Sequence, residues 1–169
     1  MKGATAWLGL LGLAFTLAVS PASAAVPRTL SATANATFLK RFAAQRGVYV
    51  TNSGVEIKVL HNGFGRRPTA TDRVIVNYAG RLINGEVFDE TEPGLPATFT
   101  VDELIPGWTE ALQRMREGDH WEIVIPAHLA YGVRGAGSAV PPNQTLICDL
   151  TLLKVLPPEQ HSGGHSGGH

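Results

Sequence analysis

The chain has 169 residues, enough for one domain with short extensions. Lys plus Arg and Asp plus Glu both number 14, so the formal net charge is zero and nothing in the charge balance points to nucleic acid or to an acidic membrane surface. The apolar fraction of 44% supports an ordinary core, while 19 glycines and 11 prolines call for many turns and few helices.

Residues 1–24 read as a cleavable secretory signal. Lys2 supplies a positive start, Trp7 to Val19 is an apolar run, and Pro21-Ala22-Ser23-Ala24 offers small residues at the positions a signal peptidase reads. The run is short for a membrane span, and no cysteine follows it to carry a lipid. A periplasmic or secreted product is expected. Its one cysteine, Cys148, cannot close an internal disulfide, so stability must come from the core.

Residues 25–53 form a lead and a short helix. Val26 to about Thr33 is small and polar, and Asn35 to Arg46 is predicted helical, with Phe38, Leu39 and Phe42 on one stripe and Gly47 closing it. Such a helix either packs on the domain or serves as a dimerisation element; its shortness favours packing. From Val48 the pattern turns to β. Val55, Ile57 and Val59 alternate with Glu56 and Lys58, and Val74, Val76 and Tyr78 alternate with Ile75 and Asn77. Asn84-Gly85 signals a hairpin between Gly80-Arg81-Leu82 and Val87-Phe88. Thr98 to Val101 is a further short strand.

Trp108 to Met115 is the single helix expected inside the β region, since Trp108, Leu112 and Met115 share a face. A strand from Trp121 to Ile125 stops at Pro126. The last strand, Leu146 to Leu153, carries Leu146, Cys148, Leu150 and Leu152 on one side and Ile147, Asp149, Thr151 and Leu153 on the other. Strands, one short helix and more strands describe an α+β domain over 54–156: a bent antiparallel sheet around one helix. Residues 157–169 end in His-Ser-Gly-Gly-His-Ser-Gly-Gly-His, a polar tail that cannot bury anything. His161, His165 and His169 are of a type that binds first-row metals. Ordering entropy on a Gly/Ser chain keeps any such binding weak, so no cofactor and no built metal site are expected.

Five motifs then occur in order: Val76-Asn77-Tyr78-Ala79-Gly80, Asn84-Gly85-Glu86-Val87-Phe88-Asp89, Ile105-Pro106-Gly107-Trp108, Ala130-Tyr131-Gly132 and Pro141-Pro142-Asn143-Gln144-Thr145-Leu146. Together they resemble the FKBP-type peptidyl-prolyl cis/trans isomerases, and in particular the bacterial exported branch that includes the macrophage infectivity potentiator group. The resemblance spans about Gly54 to Val155. It implies a half-barrel sheet wrapped around a short helix, and rotation about X-Pro bonds of exported polypeptides. Proteins of the larger exported branch carry a long helical arm before the domain; here only the Asn35–Arg46 segment stands in its place, so a monomer is expected.

The resemblance also implies roles. Trp108 becomes the floor under the proline ring, with Tyr78, Phe88, Phe99 and Val140 as walls. Leu104 and Ile105 line the pocket, and the Ile105 backbone N–H holds a substrate carbonyl. Tyr131 donates to another substrate carbonyl, and Asp89 is the charge near the rotating bond, held by Tyr78. Several positions depart from the family pattern. No basic partner for the acid occurs in Glu90–Pro96, Ala97 and Ala136 replace an aromatic residue and a histidine found in some members, and Cys148 stands where an aromatic residue is usual. A small thiol there widens the pocket, so binding of FK506/rapamycin-type macrocycles is expected to be weakened. The competing function is a proline-segment binding chaperone with little turnover.

Overall fold

The computed structural model describes residues 30–159. The expected signal segment and the histidines of the tail lie outside the described residues. Seven strands and two helices are present, in the order α1 (Ala32–Ala43), β1 (Val48–Val50), β2 (Glu56–His61), β3 (Arg73–Leu82), β4 (Val87–Glu90), β5 (Ala97–Thr100), α2 (Pro106–Leu112), β6 (His120–Ile125) and β7 (Leu146–Leu156). Single 3-10 turns at Val101–Glu103 and Ala127–Leu129 have no periodic signature and were not expected.

Every strand pair is antiparallel, in the order β1-β2-β6-β7-β3-β4. The ten residues of β3 organise the sheet. One edge of β3 pairs with β7 from Arg73–Leu156 to Leu82–Leu146. The other edge is shared: β5 takes the half from Arg73 to Val76, and β4 takes Ala79 to Arg81. A register shift between Ile75 and Val76 interrupts the β3–β7 ladder, and such irregularities bend a sheet and sharpen its twist. The sheet is therefore open and curved, as the resemblance implies.

The concave side holds the main core. Alternation puts Ile57, Val74, Val76, Ile123, Ile125, Leu146, Cys148, Leu150 and Leu152 there, together with Trp108, Ala111 and Leu112 of α2. This helix begins at Pro106, two residues before the predicted start, because proline at the first helical position loses no internal hydrogen bond and has its φ already set. It ends at Leu112, yet Met115 in the following turn is still fully buried, so the shared face extends past the helix itself.

On the convex side, Phe42, Ile83, Val124 and Ile147 form a second cluster with Phe38 and Leu39 packed against it. That cluster is the seat of α1, which thus packs on its own domain. The helix lies three residues earlier in the chain than predicted. Ser31 caps it, its Oγ accepting the Ala34 N–H at 3.1 Å, and the small polar lead of the sequence hid that cap. The hairpin at Asn84-Gly85 forms as expected: Gly85 has φ +90°, and the Glu86 N–H donates to Asn84 Oδ1 at 3.0 Å. The last strand runs to Leu156, three residues beyond its predicted end.

Candidate functional site

A concavity opens between α2, β3, β4, β5 and the segment after β6. It is lined by Tyr78, Gly80, Phe88, Asp89, Phe99, Leu104, Ile105, Trp108, Tyr131, Leu146 and Cys148 and measures about 130 Å³. Apolar cavities of roughly 150 Å³ accept a benzene ring, so one small ring is the natural occupant. Trp108 is rooted in the core by α2 and is 7% exposed. Tyr78 stands edge-on to its indole with ring centroids 5.1 Å apart and an interplanar angle of 86°; Phe99 does the same at 6.1 Å and 89°. Edge-to-face contacts of this kind fix ring orientation beyond what burial does.

Strand register supplies these side chains. Tyr78 lies opposite Leu150, and Phe99 opposite Val74. Gly80, on β3 opposite Cys148, is required by Phe88: a methyl group at residue 80 would sit 2.5 Å from the Phe88 ring, so only glycine lets that wall stand where it does.

Polar groups are few. The Tyr78 hydroxyl donates to Asp89 Oδ2 at 2.6 Å. Burial first, then this hydrogen bond to Asp89, pushes the Tyr78 phenol well above its ordinary range, so it stays protonated and keeps donating. Tyr131 is 38% exposed at the mouth; burial, then the charge of Asp89, also raises its phenol, which keeps it a donor. At the base, the Trp108 indole N–H donates to Cys148 Sγ at 3.4 Å. Burial pushes the Cys148 thiol up to about 12, so it remains a neutral, inert thiol at physiological pH.

The pocket thus gathers Asp89, Tyr131, Trp108, Tyr78, Phe88, Phe99, Leu104, Ile105 and Cys148. Val140 is the exception: it is not among the lining residues. An antiparallel bridge to Ala136 turns it inward, and its side chain sits in the core at 1% exposure. It anchors the loop beneath the site. Gly80 and Leu146 line the pocket without having been singled out. Leu146 shares a strand face with Cys148, and that alternation was the signal available for it. Among the described residues, no group of three or more His, Cys, Asp or Glu side chains is placed to hold a metal ion.

A family model for the FKBP-type peptidyl-prolyl cis-trans isomerases matches residues 65–153. The FKBP-type 22 kDa peptidyl-prolyl cis-trans isomerase of Escherichia coli is 48% identical over 120 residues, covering 70% of this chain and 58% of the relative. The outer membrane protein MIP of Legionella longbeachae is 48% identical over 119 residues, covering 70% and 51%. Among solved structures, a peptidyl-prolyl cis-trans isomerase from Pseudomonas syringae superposes with a TM-score of 0.70 at 37% identity, covering 81% of this chain and 97% of that one. The chain belongs to the FKBP-type peptidyl-prolyl cis-trans isomerase family. It spans about half the length of the curated relatives it matches. Among the described residues, no helix is long and apolar enough to cross a membrane.

Proposed function

We propose that this chain accelerates cis/trans rotation of X-Pro bonds in exported polypeptides. The observation that carries this reading is a ring-sized apolar basin floored by an indole and containing one carboxyl group, Asp89. Rotation breaks no bond, so no nucleophile, metal or acid/base pair is needed. The barrier is roughly 18–20 kcal/mol because the planar amide is resonance-stabilised. Twisting removes that resonance and makes the carbonyl less polar. A water-poor basin therefore costs the planar amide more than the twisted one, and that difference is what lowers a barrier. A reduction of about 5.5 kcal/mol corresponds to roughly 10⁴-fold.

In this reading the proline ring rests on Trp108 between Tyr78, Phe88 and Phe99. The Ile105 N–H and the Tyr131 hydroxyl hold substrate carbonyls, and Asp89, fixed by Tyr78, biases the field at the rotating bond. Leu104 and Cys148 complete the apolar surface. The clients are exported polypeptides containing proline, the protein acts as a monomer, and residues 1–24 are its cleaved signal. FK506/rapamycin-type macrocycles bind weakly.

A protease-coupled assay on Ala-Leu-Pro-type and Ala-Phe-Pro-type peptides tests the proposal. Wild-type protein is expected to turn both over. Tyr131→Phe should lose about tenfold in kcat/KM, the worth of one hydrogen bond in the transition state; Trp108→Leu and Asp89→Leu should lose at least as much. Suppressed aggregation of an unfolded client with no turnover would replace the enzyme with a binding chaperone.

A further inference from the structure

A buried hydrogen-bond network ties α1 to the rim of the pocket. Asn35, in the first turn of α1, is only 5% exposed. Its Nδ2 donates to Gln144 Oε1 at 3.0 Å and to the Ser31 carbonyl at 3.0 Å. Its Oδ1 accepts the Thr145 backbone N–H at 2.8 Å. Gln144 Nε2 donates in turn to the carbonyls of Leu30 at 3.1 Å and Pro142 at 2.9 Å. Gln144 and Thr145 are as buried as Asn35, and the bonds from Asn35 to Gln144 Oε1 and from the Thr145 N–H to Asn35 Oδ1 are themselves buried, where an unpaired polar group would lack water to replace its partner.

The segment held in this way adjoins residues of the pocket lining at two points. Thr145 immediately precedes Leu146, which lines the pocket and opens β7 two residues before Cys148. Asn143 sits at φ +60°, the only non-glycine residue at positive φ among the described residues, and its N–H donates to the Gly132 carbonyl at 2.8 Å. Gly132 follows Tyr131. The path therefore runs from the helix through Asn35 and Gln144 to the 142–145 turn, and from Asn143 to the loop that presents the Tyr131 phenol.

We propose that Asn35 and Gln144 are positioning residues for the isomerase site, and that α1 sets the place of Tyr131 through them. This rests on the functional reading above, with Tyr131 as a donor to substrate. Asparagine suits position 35 because one side chain must both accept a backbone N–H and donate to an amide oxygen; alanine does neither, and aspartate cannot donate. Replacing it leaves buried groups unpaired and frees the 142–145 turn.

The test is a double-mutant cycle on the full-length chain with a second, activity-independent readout. Asn35→Ala is expected to lower kcat/KM on an Ala-Leu-Pro-type peptide by about tenfold, as displacements remote from the chemistry do. In a Tyr131→Phe background the same substitution should cost less than about twofold, because the group it positions is already gone. Gln144→Ala, which leaves the helix sequence intact, should repeat the pattern if Asn35→Ala folds poorly. Amide exchange at Asn143 should accelerate in both variants while that of Leu150, within β7, does not. An equal fold-loss in both backgrounds, or unchanged exchange at Asn143, overturns the proposal. If wild-type protein shows no turnover, the functional reading fails by itself, and the Asn143 exchange still decides whether the network holds the turn.

Discussion

Cys148 sits where the family resemblance led one to expect an aromatic ring, and the structure gives that substitution a physical meaning. The thiol is 1% exposed and accepts the Trp108 indole N–H. It therefore keeps a buried donor satisfied, as a phenylalanine could not, while taking up far less space. Two outcomes follow at this scale. With its thiol pushed up to about 12 by burial, Cys148 should stay unmodified by a thiol reagent at pH 7 in folded protein and react once urea unfolds it; fast labelling of the native state would contradict the buried placement. Cys148→Phe should restore a wall and tighten binding of an FK506-type macrocycle in a calorimetric titration. Unchanged or weaker affinity would show that the lost indole contact outweighs the added surface. The sequence alone reached the small side chain and its inward direction through the alternation of Leu146, Cys148 and Leu150. It did not reach the indole partner, because the two residues are 40 positions apart and no periodicity links them.

The helices show the same limit at the next scale. Their existence was legible from apolar spacing: Phe38, Leu39 and Phe42 in α1, and Trp108, Leu112 and Met115 around α2. Their ends were not. A serine cap at Ser31 and a proline start at Pro106 moved both helices toward the N-terminus, and each is a local hydrogen-bond or φ effect that apolar spacing does not register. Val140 lies in the core, outside the pocket lining, for a related reason. Its position follows from a bridge to Ala136 within an irregular loop, where side-chain direction has no period to read. In α1, Phe42 is 4% exposed within the convex-face cluster and stacks on Phe38 at 6.2 Å, so the helix packs on its own domain. Phe42→Ala should then lower unfolding stability in urea by about 3–5 kcal/mol, the usual cost of emptying a buried phenylalanine site. That loss should be the same at low and high protein concentration. A loss that shrinks as the protein is concentrated would instead mark α1 as an intersubunit element.

For the molecule as a whole, two buried carboxyl groups pull stability in opposite directions with pH. Asp72 is 2% exposed; its carboxylate accepts the Thr69 backbone N–H at 2.8 Å and faces Arg66 at 2.9 Å. The Thr69 N–H first, then Arg66, hold it below the ordinary carboxylate range against the opposing effect of burial. Its contribution is therefore present above the unfolded value of 3.8 and is lost as the pH falls through its lower folded value. Glu56 behaves in the reverse sense. It alternates with Val55 and Ile57 of the concave core and pairs with Val124, so its side chain lies on the convex face beside the seat of α1. Its Oε2 is buried without a hydrogen-bond partner, and burial raises the carboxyl from 4.5 to about 7. Between those values the folded chain holds a proton that the unfolded chain has released, so stability declines as the pH rises through that interval and levels off above about 7. Melting temperatures measured from pH 4.5 to pH 8 should fall for the wild type and stay flatter for Glu56→Gln, which cannot ionise. Titrating groups common to both proteins cancel in that comparison, so parallel curves would mean that the Glu56 carboxyl is solvated in solution and that α1 does not seal the convex face.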